Sequence, residues 1–310
     1  VDAGVVTNLG TLIFEGALGA NTITNSGTIT INAATTNVAG NDQTALVMHT
    51  TGSIVNFTDT GAENQNLIVT GTTDGFGTLN FFDSVDDAAA ASTTLVADSL
   101  IGTDGNRIGT INVGKSDGTK GGGLVGVNAA AIFADNVNIT GGNHEDEDSI
   151  LSLHEALTST AITLTAGGAG QATLNTLTAT TAITGTVDSG SGTDGAGLTL
   201  IDADIATQFA SNIGASVAIE KMDIGAIKVD IDGATNVIES VLFSGDGTLE
   251  LDAASAQTLT STITATTNEH GLITNANTSG VLTFAGVVGA EDKRIKEIAK
   301  SQNNFKDVAD

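Results

Sequence analysis

The chain has 310 residues, with no Cys, Pro, Trp or Tyr, and a formal net charge of −26 from 36 acidic and ten basic residues. That charge excludes a nucleic-acid binder, which needs a basic surface to replace counterions, and disfavours an anionic membrane surface. No apolar run approaches the ~18 residues of a transmembrane helix, no aromatic girdle marks an outer-membrane barrel, and without Cys there are neither disulfides nor thiolate metal sites.

Hydrophobic residues make up 40% of the chain, which suffices for a core. Aromatics are 3%, all Phe, so burial must come from Val, Ile, Leu and Ala, aided by Thr methyls. Pro lacks a backbone N–H and interrupts a sheet ladder, so its absence suits many regularly paired strands. The 39 Gly, with abundant Thr, Ala and Asn, supply strands and turns.

One phrase recurs along the chain: Gly, a small residue, then alternating apolar positions. It reads Gly10-Thr11-Leu12-Ile13-Phe14, then Gly27-Thr28-Ile29-Thr30-Ile31, with a looser copy at Gly52-Ser53-Ile54-Val55-Asn56-Phe57. It returns as Gly77-Thr78-Leu79-Asn80-Phe81 and Gly109-Thr110-Ile111-Asn112-Val113. Later copies begin at Gly197, Gly247 and Gly280. Period-two alternation means a strand with one buried face, and the leading Gly is expected to supply positive φ at a tight corner. Weaker strands are expected at Asn21–Ile23, Leu67–Thr70, Asn136–Thr140, Ala161–Thr165 and Thr262–Thr266. Short strands at close, irregular spacing mean a degenerate repeat.

Three segments read differently. Asp204 to Ile213 places Ile205, Phe209 and Ile213 four apart, as on a helix. Ser149 to Leu157 suits either a strand or a helix. Glu291 to Lys300 reads as helical, and residues 293–306 hold five of the ten basic residues, so an acidic body precedes a charge-balanced tail. Flexible turns are expected at Asp188–Gly192 and Lys115–Gly123. No signal peptide stands at Val1, which is compatible with a mature, processed form.

Catalytic motifs are absent. None of His49, His144, His154 and His270 has a zinc-protease spacing. His144 and His154 flank the run Glu145-Asp146-Glu147-Asp148, read either as a metal site or as a solvated acidic loop. Asp202 with Asp204, and Asp230 with Asp232, fall on one side of an extended strand, as paired carboxylates do in sugar-cleaving enzymes. Such clefts usually hold their substrate on Trp or Tyr, and this chain has neither. Calcium is the better chemical expectation, since hard oxygen ligands would relieve the acidic repulsion. Its candidate ligands are Asp230, Asp232, Asp246, Glu145, Asp146, Glu147 and Asp148, although neither a full twelve-residue calcium loop nor the calcium β-roll nonapeptide is present. Asn56, Asn138 and Asn277 begin glycosylation sequons that chance explains in so Asn- and Thr-rich a chain.

Phrases such as Gly109-Thr110-Ile111-Asn112-Val113-Gly114, Thr181-Ala182-Ile183-Thr184-Gly185-Thr186-Val187-Asp188 and Val281-Leu282-Thr283-Phe284-Ala285-Gly286 resemble the passenger regions of rickettsial and other alphaproteobacterial surface antigens of the autotransporter class. Ser211-Asn212-Ile213-Gly214-Ala215 is similar to their recurrent Asn-Ile-Gly phrases. The resemblance is one of style and composition over most of residues 1–290, and bacterial S-layer proteins look similar too. It implies a β-solenoid passenger on a bacterial surface, used for adhesion or as a protein coat. The chain shows no translocator barrel, and no family site residue carries over.

The expected architecture is all-β: a parallel β-helix or β-solenoid body over residues 1–289 and a helical tail or cap over 290–310, with an array of β-sandwich domains as the rival. The expected function is a non-enzymatic, extracellular structural protein of a bacterial surface that self-associates into a coat, S-layer or filament. An adhesin passenger that binds a cell-surface ligand is the alternative, and a polysaccharide-cleaving β-helix enzyme the distant one.

Overall fold

The computed structural model describes residues 5–14, 22–31, 44–58, 63–65, 67–82, 91–95, 100–114, 123–127, 131–142, 147–177, 181–190, 198–277 and 280–300. Among them every regular element is a strand, and no helix is long and apolar enough to cross a membrane. The strands form an 18-stranded and a 10-stranded sheet, and every strand pairing is parallel. The chain is a β-solenoid. The sandwich alternative fails, because Greek-key strands pair antiparallel.

One coil shows the plan. Ser149–Leu153 lies in the smaller sheet and Leu157–Thr165 in the larger. Ala172–Thr176 then returns to stack on Ser149–Leu153 in register. The N-terminal part of the larger sheet carries two short strands per coil, such as Thr22–Asn25 and Thr28–Ile31. These merge on the nine-residue strand Ile132–Thr140, where Ile132 pairs with Ile101 while Ala134 pairs with Ile108.

The alternation read from the sequence is the alternation of burial. Thr28–Ile31 and Thr248–Leu251 alternate half-buried and buried, with Ile29, Ile31, Leu249 and Leu251 fully inside. Burying each such side chain stabilises the fold by about 1.5–3 kcal/mol before entropy is counted. Stacked coils share one continuous core, since no single coil can bury its own apolar face. The inward Phe side chains stack as well: the Phe57 and Phe81 rings lie 4.6 Å apart and 6° from parallel.

Several of the leading glycines, though not Gly10 or Gly52, act for a different reason from the one expected. Gly77 does have a positive φ of 86°. Gly27 and Gly109 do not; a methyl group on either would run into the backbone carbonyl oxygen of Gly10 or Gly75, one coil below. Close approach of stacked corners, more than handedness, requires glycine there.

The helical expectations are corrected. Within Asp204 to Ile213 the chain forms the strand Thr207–Phe209, with Phe209 and Ile213 buried and Ile213 bridged to Val187. Ser149–Leu153, left open between strand and helix by its sequence, is a strand. In the tail, Ile295–Lys300 is a strand paired with His270–Asn275. Local helix propensity is a weak prior, and the hydrogen-bonding edge of the preceding coil overrides it. Residues 115–122, 191–192 and 301–310 lie outside the described residues.

Candidate functional site: outward columns of stacked side chains

Parallel, in-register strands place equivalent outward side chains in columns with a rise of about 4.8 Å per coil. Three such columns, the first of them doubled, carry the chemistry of the outer surface.

The first is an amide ladder. Thr30, Asn56, Asn80, Asn112, Asn138 and Thr163 stand in register on successive coils of the larger sheet. Asn80 Nδ2 donates to Asn56 Oδ1 at 2.8 Å, Asn112 Nδ2 to Asn80 Oδ1 at 2.7 Å, and Asn138 Nδ2 to Asn112 Oδ1 at 2.8 Å. Beside it runs its companion column of Thr28, Ile54, Thr78, Thr110, Asn136 and Ala161. Neither column carries a charge until Asp188, which stands in register with Thr163. Two of the three sequon asparagines, Asn56 and Asn138, are thus rungs of this ladder.

The second column lies further along the same sheet and is acidic. Gln208, Asp230, Glu250 and Thr274 stack in register. Lys228, on the strand of Asp230, reaches both carboxylates, at 3.6 Å to Asp230 and closer still to Glu250. Asp232 accepts a hydrogen bond from Gln208 Nε2 at 2.8 Å. Burial, followed by the charges of Asp232, Glu250 and Asp252, raises the Asp230 carboxyl to about 6, with Lys228 opposing. Burial also raises Asp232, and the hydrogen bond to Glu250 holds Lys228 above its ordinary value. The Oδ1 atom of Asp230 is buried without a hydrogen-bond donor among the described residues.

The third column lies on the smaller sheet, where Asn175, Asp202 and Asp223 stack in register. Lys221 pairs with Asp223 at 3.2 Å. Burial, then the charges of Asp204 and Asp223, raise Asp202. The pairs expected from the sequence are therefore regrouped: Asp202 meets Asp223 on the next coil as well as its chain neighbour Asp204, and Asp230 meets Glu250 as well as Asp232.

The other candidate ligands lie apart. Asp246 precedes the strand Thr248–Leu251 and is ion-paired with Lys296 at 2.9 Å, which lowers its pKa. Asp148 Oδ1 accepts from the Gln171 N–H, 23 residues on, and so ties two coils together. Glu147 is fully buried against Gly142, so the expected solvated loop is corrected at this position. Glu145, Asp146 and His144 lie outside the described residues. Among the described residues no group of three His, Asp or Glu side chains is disposed to hold a metal ion.

Sequence reasoning missed Glu250, Lys228, Asp223 and the amide ladder. The ladder had a visible signal: Asn80 and Asn112 occupy the same place in two copies of the Gly-Thr phrase. The acidic columns had none, because their members are about a coil apart, like Lys228 and Glu250, 22 residues distant.

No family model matches the chain, and no curated protein or solved structure matches it either.

Chemically, the carboxylates stand in outward columns, Asp230 over Glu250 and Asp202 over Asp223. Such columns attract cations, and burial lets Asp230 take up a proton at about pH 6.

Proposed function

We propose that the chain is a non-enzymatic, extracellular structural protein of a bacterial surface, a stiff solenoid that self-associates into a coat, S-layer or filament. The observation that supports this best is the stacking of outward acidic side chains on neighbouring coils of both sheets, Asp230 over Glu250 and Asp202 over Asp223. The two pairs lie on different sheets, so two outer faces of the body carry them. Divalent cations, calcium foremost, would screen these columns and allow acidic bodies to approach one another.

Negative-stain electron microscopy of the purified chain, with millimolar Ca²⁺ and with EDTA, tests this. Sheets, tubes or filaments that dissolve in EDTA support it. Dispersed rods in both conditions overturn it. A second reading, an adhesin passenger, draws on the uncharged Thr and Asn columns, which offer a ligand a regular surface free of the body's acidic charge.

A further inference from the structure

We infer that the two uncharged columns of the larger sheet are an ice-binding face, which adsorbs to the ordered water lattice of an ice crystal. The inference supplies a ligand for the second reading above and does not depend on self-assembly.

Three features carry it. The first is regularity. Thr78 and Asn80 lie on one strand, and Thr110 and Asn112 lie directly over them on the next coil. Alternate residues of a strand are about 6.6 Å apart and successive coils about 4.8 Å apart. Hydroxyl and amide groups thus form a nearly rectangular grid, and the oxygen rows of hexagonal ice repeat at closely similar intervals.

The second feature is rigidity. Asn56, Asn80, Asn112 and Asn138 are bonded amide to amide along the column, which fixes their rotamers. Side-chain ladders of this kind also hold a sheet flat against its natural twist. A face already held in place loses little conformational entropy on adsorption.

The third is charge. Ice is a neutral lattice, and the outward positions of this face are uncharged as well. Although the chain carries −26, no outward position of either column from Thr28 to Thr163 is ionised. A strongly hydrated carboxylate would hold its own water shell and disrupt the lattice. Ile54 and Ala161 replace hydroxyls in the outer column but add no charge to it. The rival ligand, a neutral glycan, is usually gripped by stacking on Trp or Tyr, which the chain lacks.

The test is partition of the purified full chain into slowly growing ice, with inhibition of ice recrystallisation as a second readout. The parent should enter the ice while an unrelated acidic protein is excluded. Thr110→Tyr and Thr78→Tyr each lift a ring out of the grid and should abolish entry. Thr260→Tyr, an outward position of the smaller sheet, should enter like the parent. Each variant is scored on protein whose circular dichroism matches the parent, and two face variants are used so that misfolding of one leaves the other. Exclusion of the parent from ice overturns the inference. So does equal loss of entry for Thr260→Tyr and the two face variants, or unimpaired entry of both face variants. Polymers seen by microscopy in Ca²⁺ would leave this outcome unchanged, so the two readings fail separately.

Discussion

Asp230 and Glu250 stand directly above one another on neighbouring strands, and the single ammonium group of Lys228 bridges both. Two carboxylates one coil apart repel, and burial adds to the cost of ionising Asp230, so its folded pKa rises to about 6 from an ordinary 3.8.

The sign of the linkage follows. Between pH ~4 and ~6 the folded chain holds a proton that the unfolded chain has released, so stability falls as pH rises through this window. Asp230→Asn removes the ionisation and should stabilise the protein at pH 7.5 by about 1 kcal/mol after allowance for solvent screening, with little gain at pH 4. Urea unfolding at the two pH values checks this. Equal effects at both would show that Asp230 titrates normally.

Lys228→Met should do the opposite. It leaves Asp230 and Glu250, with Asp232 and Asp252 nearby, without their shared cation. The melting temperature should drop at pH 7.5, and the drop should shrink at pH 4.5, where Asp230 is protonated. On the functional reading proposed above, millimolar Ca²⁺ should restore part of the loss, and Mg²⁺ less of it, as differential scanning calorimetry would show.

The amide ladder predicts a graded loss. Asn112 donates to Asn80 and accepts from Asn138, so Asn112→Ala breaks two bonds at once. The expected destabilisation is about 1–2 kcal/mol by chemical denaturation. Asn112→Asp keeps the shape but sets a carboxylate against the Asn80 carbonyl, and should cost more at pH 7 than at pH 4.

The glycine corners predict a sharp contrast. Gly109→Ala drives a methyl into the Gly75 carbonyl, whereas a methyl on Gly105 meets nothing within 4 Å. Overpacking of this kind costs about 1–3 kcal/mol. Gly105→Ala should lie near the parent, and similar melting temperatures for the two variants would refute the close-approach explanation.

Much of the fold was legible because its signal is local. The Gly-Thr phrases mark strands whose buried and outward positions are already set within five residues, as in Thr28–Ile31. The absence of Pro pointed correctly to many paired strands, although the ladders shift register at Thr158/Ala161 and Val237/Ser240. Where the sequence misled, the deciding partner lay a coil away. The helical spacing of Ile205, Phe209 and Ile213 is real, but Val229 and Thr181 pair with Thr207 on either side and hold the segment extended. The tail sequence Ile295–Lys300 favours a helix on its own and becomes a strand on the edge of His270–Asn275. The candidate site was legible only in part: Asp230 and Asp232 stood out as neighbours in sequence, while Glu250 and Lys228 join them through a register that no short window contains.

The all-parallel stacking also has a mechanical consequence. The hydrogen bonds that join Thr28–Ile31 to Ile54–Phe57, and those to Phe76–Phe81 above, all run along the stacking direction. Tension applied along that direction opens the ladders one rung at a time, whereas a force directed along the strands loads every bond of a rung in shear. The body therefore yields easily when its end coil is peeled and resists strongly when dragged sideways, so the points at which it is tethered decide how much load it can bear.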